Sequence, residues 1–198
     1  MLKTSLTMLC ALAILTVSAH AATVVPVNLE EMVDGADRIF VGRALTIRRS
    51  TDPVSHLPVR YTTFDVIRAI KGDLGATVTI KQLASDVPGQ VSVIPGTPFF
   101  PIGKEYVLFL HKDSSIGFTN PVGLFQGRLP VVTERDGTRT VVGPFTSSRL
   151  LSGLQRSWIK SSVLGATRRA ATLGVPAGGR EVDYGQFVDV LDRMVQTR

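Results

Sequence analysis

Cysteine is almost missing from this chain of 198 residues, and the single thiol, Cys10, lies inside an apolar N-terminal run. A domain built after that run has no disulfide, no thiol nucleophile and no thiolate metal site to draw on. Histidine is scarce as well: past residue 20 the chain carries only His56 and His111. Neither has a second histidine at ligand spacing, and a zinc site needs three or four convergent ligands. No Gly-x-Ser-x-Gly elbow is present, no histidine follows His111, and the glycines form neither a phosphate loop nor a dinucleotide fingerprint. Glu30 and Glu31 are adjacent carboxylates, but neighbours on a helix point in different directions and capping accounts for Glu31. The sequence therefore offers no catalytic residue, no cofactor site and no metal site.

What the N-terminus does carry is an address. Lys3, the apolar run Leu6 to Val17 and the small-x-small triplet Ala19-His20-Ala21 predict a secretory signal peptide over residues 1–21, cleaved after Ala21. The run is shorter than the roughly 20 residues a spanning helix needs. Leu9 precedes Cys10 where a lipoprotein signal would have Gly or Ala. An exported domain that does without disulfides fits a bacterial periplasmic or secreted protein better than a secreted eukaryotic one.

The remaining chain alternates strand and turn signals as far as residue 145. Asn28, with Glu31 three places on, predicts a capping box on a short helix ending near Gly35, with Leu29, Met32 and Val33 buried. Arg38 to Arg48 reads as a strand with two covered faces or a bend at Gly42. Arg60 to Ile70, Thr77 to Lys81 and Tyr106 to Leu110 read as further strands, and Gly127 to Thr133 with Thr138 to Val142 as a hairpin around Arg135-Asp136-Gly137. The core predicted from these phases is Ile39, Val41, Leu45, Phe64, Val66, Val78, Ile80, Val107, Phe109 and Val131.

Ala84 to Gly103 is a long connection with four prolines, three glycines and the adjacent rings Phe99 and Phe100. Loops of that length inside a domain are usually functional or mobile. The two rings are expected either to tuck the loop onto the barrel or to form a partner-binding tip. Residues 146–198 form the second region, in which Leu150, Leu151, Leu154 and Trp158, and later Tyr184, Phe187, Val188, Leu191 and Val195, recur at helix spacing. Between Gly137 and Gly179 every charged residue is basic: Arg139, Arg149, Arg156, Lys160, Arg168 and Arg169. Arg149, Arg156 and Lys160 share a face on one helix, which is read as a solvated surface or as a contact with anionic lipid, polysaccharide or an acidic protein. Nucleic acid is not the expected partner of an exported chain.

The order short helix, Ala36-Asp37-Arg38-Ile39-Phe40-Val41-Gly42-Arg43, Thr63-Phe64-Asp65-Val66 with Lys71-Gly72, and Phe99 to Gly103-Lys104-Glu105-Tyr106-Val107-Leu108-Phe109-Leu110 resembles the netrin-like module. That module includes the inhibitory domain of tissue inhibitors of metalloproteinases, and the same run resembles a group of exported bacterial proteins. The resemblance covers roughly Asn28 to Gly143. It implies an all-β core in an OB-fold-like Greek-key barrel over residues 22–145, with a short N-terminal helix and C-terminal helices packed on or appended to it. The metalloproteinase inhibitors chelate zinc through an N-terminal cysteine, whereas this chain would begin Ala22-Thr23-Val24 after cleavage, so that mechanism does not carry over. The expected function is non-enzymatic binding of a protein or anionic envelope component, with Phe99, Phe100, Arg149, Arg156 and Lys160 as candidate contacts. A hydrolase assembled from distant positions and a purely structural envelope protein are the alternatives.

Overall fold

The structure, a computed structural model, describes residues 25–84, 96–143, 163–166 and 180–197. The signal segment and the candidates Arg149, Arg156 and Lys160 lie outside these residues, as does the Leu150–Trp158 apolar stripe.

Helix α1 (Leu29–Gly35) opens on the expected capping box: the Asn28 side chain accepts the Glu31 N–H, and the Glu31 carboxylate accepts the Asn28 N–H, both at 2.8 Å. Leu29, Met32 and Val33 are fully buried. Strands β1 (Arg38–Thr51), β2 (Pro58–Lys71), β3 (Thr77–Leu83), β4 (Glu105–Leu110), β5 (Arg128–Thr133) and β6 (Arg139–Gly143) follow, with a 3-10 turn at Leu124–Gly127. Strands β7 (Val163–Ala166) and β8 (Arg180–Asp183) precede helix α2 (Tyr184–Gln196). The ladders are antiparallel, in the order β3-β2-β1-β4-β5-β6-β8-β7.

The helical expectation for residues 146–198 therefore holds for Tyr184–Gln196 and fails at β7 and β8, which extend the sheet beyond residue 145. Strands of four residues are too short for a two-residue period to be told from a helical one. Pro130 fits its strand because the β6 ladder begins only at Val131, leaving one side of β5 open there.

Both faces of the sheet are covered, so its central strands are apolar on alternate and on consecutive positions alike. One face carries Ile39, Val41, Val107, Phe109, Leu129, Val141 and Val182 against α1 and α2, with Phe187, Val188 and Leu191 of α2 buried there. The other, inner face collects Phe40, Ala44, Phe64, Val78, Ile80, Tyr106, Leu108 and Leu110. Lys71 leaves the end of β2 and donates to Val33 O and Ala36 O, at 2.7 and 2.6 Å, satisfying carbonyls at the C-terminus of α1. Lys71→Ala is expected to lower stability by about 1–3 kcal/mol through the loss of charge-assisted bonds, measured by urea unfolding. A change under a few tenths would show that water replaces the ammonium there.

Leu45, expected in the core, is 42% exposed. The register runs Ala44↔Phe64 and then Thr46↔Thr63, so Leu45 is an extra residue with no partner on β2. Such a bulge inverts the alternation downstream. Ile47 accordingly pairs with the buried Thr62 on the inner face, whereas Ile39 and Val41 face the helices. A second bulge, at Ile67 on β2, lies beside Gly42, where a Cβ would meet the Phe40 ring at 2.6 Å. Of the two readings of this strand the structure shows the covered faces, and the glycine leaves room for Phe40 to lie along its own strand. Val66 is only partly buried against the inner cluster.

Candidate functional site

Sequence neighbours Phe99 and Phe100 have opposite fates. Phe100 is fully buried, edge-on to Phe64 at 5.1 Å and to Tyr106 at 5.4 Å between ring centroids. It anchors the end of the long connection to the sheet and does not present a surface to a partner, so of the two rings only Phe99 remains a candidate contact. Phe99 is 44% exposed, with its ring 5.0 Å from the Arg60 guanidinium.

Two buried or half-buried arginines from different strands hold this segment. Arg60 of β2 donates to Pro98 O at 3.0 Å and to Gln82 Oε1 at 3.2 Å. Arg128 of β5 donates to Phe99 O at 3.0 Å, and its guanidinium lies 5.4 Å from the Tyr106 ring. Burial lowers the Arg128 pKa from its ordinary value, and burial likewise raises that of the Tyr106 phenol, partly offset by Arg128. The following turn is tied to β1: Gly103 N–H donates to Ala44 O at 2.7 Å and Ala44 N–H to Lys104 O at 3.0 Å.

These contacts frame two adjoining hollows. One, of about 620 Å³, is lined by residues 96–99, Pro101, Lys104, Tyr106, Phe125, Arg128 and Pro130. The other, of about 740 Å³, runs from Arg43 and Gly103 along Lys104, Glu105 and Tyr106 to residues 130–133 of β5. Lys104, Tyr106 and Pro130 line both, so the two hollows adjoin and together form a trough that bends around these residues. Glu105 is the single carboxylate among the lining residues, and it bridges Arg43 at 2.5 Å and Arg139 at 2.6 Å. Lys104 is exposed, and its ammonium makes no hydrogen bond or ion pair among the described residues. Sequence reading missed Lys104 in a turn and Arg128 and Arg60 on strands as site residues, because isolated cations carry no periodic or spacing signal.

The histidines sit elsewhere. His111 Nδ1 is 3.0 Å from Gly35 O, and His56 lies in the β1–β2 turn. That turn is organised by Asp52, which accepts from Ser55 N–H and Oγ–H and pairs with Lys81 of β3 at 2.7 Å. Its bonds from Lys81, and then from Ser55, hold the Asp52 carboxyl well below the usual carboxylate range. A depressed folded-state pKa contributes stability that is present above the unfolded value, near 3.9, and drains away as pH falls below it. Asp52→Asn is therefore expected to flatten the loss of stability between about pH 4 and 2, read by thermal melts across pH. Parallel melting curves for the two proteins would show that the pair carries no such linkage.

Among the described residues no cluster of three or more His, Cys, Asp or Glu could hold a metal ion, and no helix is long and apolar enough to cross a membrane. Comparison with protein-family models, with curated proteins and with solved structures finds no match. The likeness to the netrin-like module accordingly rests on the residues quoted for it.

Proposed function

We propose that the chain is an exported bacterial binding protein without enzymatic activity, which recognises a protein or an anionic envelope component. The observation that carries this reading is the trough itself: exposed Phe99, the part-buried Phe125 and prolines 98, 101 and 130 beside Arg43, Lys104 and Arg128. An apolar floor with a few placed cations is a usual lining for ligand recognition. The basic residues Arg149, Arg156 and Lys160 add to the attraction for anionic partners in this reading.

The framework we propose is an OB-type barrel of the netrin-like kind. Its support is the strand order β3-β2-β1-β4-β5, in which the long β1 pairs with β2 along its whole length and with β4 through its first half. A strand shared in that way lets one sheet coil upon itself.

Affinity isolation of the exported protein from its own envelope fraction tests the function. A component retained in stoichiometric amount at low salt and released as salt rises is the expected result. A protein found only in the cytoplasm, or one that turns over a panel of ester, peptide and glycoside substrates, would defeat the reading.

A further inference from the structure

We infer that the trough between β4, β5 and residues 96–101 takes an extended acidic peptide of a partner protein, with a carboxylate of that peptide paired to Lys104. This rests on the binding reading above and narrows it to one partner chemistry. Length is the first argument. The two hollows share Lys104, Tyr106 and Pro130, so a ligand that occupies both passes over these residues and is elongated. A bilayer face is flat and cannot enter a concavity of this kind, whereas a single extended segment can.

Surface chemistry is the second argument. Pro98, Phe99, Pro101, Phe125 and Pro130 give flat, rigid apolar faces, the type of lining on which proline-containing and aromatic side chains of extended peptides stack. Side chains with little rotamer freedom lose little entropy on binding. The floor is also held in place before any ligand arrives, because Arg128 is bonded to the Phe99 carbonyl and Phe100 is locked into the inner core.

Charge decides which peptide. Glu105 is matched to Arg43 and Arg139, so the lining carboxylate is already neutralised inside the protein. Lys104 projects at the junction of the two hollows with no acidic partner among the described residues. A carboxylate supplied from outside completes that position, while a basic peptide would meet Arg43, Lys104 and Arg128 together.

The test uses the full exported chain, isotope-labelled for NMR, and three blocked peptides that alternate proline with glutamate, glutamine or lysine around one tryptophan. The glutamate peptide is expected to shift the amides of Phe99, Lys104, Tyr106 and Arg128. Lys104→Glu should weaken it by about five- to tenfold, since a rim attraction is replaced by repulsion, and Lys104→Arg should keep it. Unchanged melting temperatures establish that each variant is folded. No shift from any peptide up to about 1 mM, the weak end of specific association, would overturn the inference, and so would equal binding of the glutamine peptide. If the envelope component is retained equally by Lys104→Glu and the parent, or if only anionic vesicles bind, the proposed function stands and the peptide site falls.

Discussion

Phe64→Ala is expected to lower the stability of the folded protein by about 3–5 kcal/mol, the cost of emptying a large aromatic site in a packed core. Phe64 is fully buried and stands edge-on to Phe40 at 6.1 Å and to Phe100 at 5.1 Å, so its removal also breaks two favourable ring contacts. Urea unfolding measures the effect. Phe100→Ala should cost a comparable amount, whereas Phe99→Ala, which removes a half-exposed ring, should stay within about 1 kcal/mol. A Phe64→Ala protein that unfolds within 1 kcal/mol of the parent would mean that the inner cluster collapses to fill the gap, or that Phe64 is not where β2 places it.

Gly127→Ala is the second large effect, and its cause is crowding rather than loss of contacts. A methyl group at position 127 would stand 2.6 Å from Val122 O, 2.8 Å from Val122 N and 3.0 Å from Phe109 O. All three are backbone atoms, and Val122 N–H donates to Phe109 O at 2.8 Å, so the new atom presses on a hydrogen bond between β4 and its neighbouring loop. Backbone cannot swing aside as a side chain can. Overpacking of this kind costs about 1–3 kcal/mol and occasionally more. Gly75→Ala serves as the control, because a methyl there meets only Thr77 O at 3.8 Å. Equal melting temperatures for Gly127→Ala and Gly75→Ala would refute the crowding argument. The substitution should also disturb the trough, since Phe125 and Arg128 flank position 127 and line it.

These two sites illustrate different degrees of legibility. Phe64 stands in a run of β-branched and aromatic residues that announces a strand, and its burial follows from period-two alternation. Gly127 was visible only as the start of a strand, because the need for a bare Cα arises from a loop that folds back on β4 from several residues earlier. The capping box at Asn28 and Glu31 was readable for a local reason: its donors and acceptors lie within one turn of chain. The stripe Tyr184, Phe187, Val188 and Leu191 was readable because a helix repeats its phase without interruption.

Leu45 marks where that legibility ends. Alternation along β1 predicts it inside, and nothing in Ala44-Leu45-Thr46 signals that one residue will be looped out of register. The bulge is decided by how the fourteen residues of β1 must match β2, and that match exists only when the strands meet. The trough depends on the same kind of meeting. Lys104 comes from a turn, Tyr106 from β4, Arg128 and Pro130 from β5 and Phe99 from the long connection, and no spacing in the chain links them.

By itself, then, the sequence determined the features that depend on neighbours along the chain: the capping box of α1, the apolar faces of α1 and α2, the position of most strands and the hairpin at Asp136. Their physical cause is local, since hydrogen bonds and side-chain periodicity act over one or two turns of backbone. Only the tertiary structure decided that β7 and β8 join the sheet, that Phe100 anchors while Phe99 faces water, and that Arg60 and Arg128 clasp the segment between them. Those outcomes follow from contacts between residues far apart in the chain, and each is set by which groups remain to be buried or hydrogen-bonded once the sheet has formed.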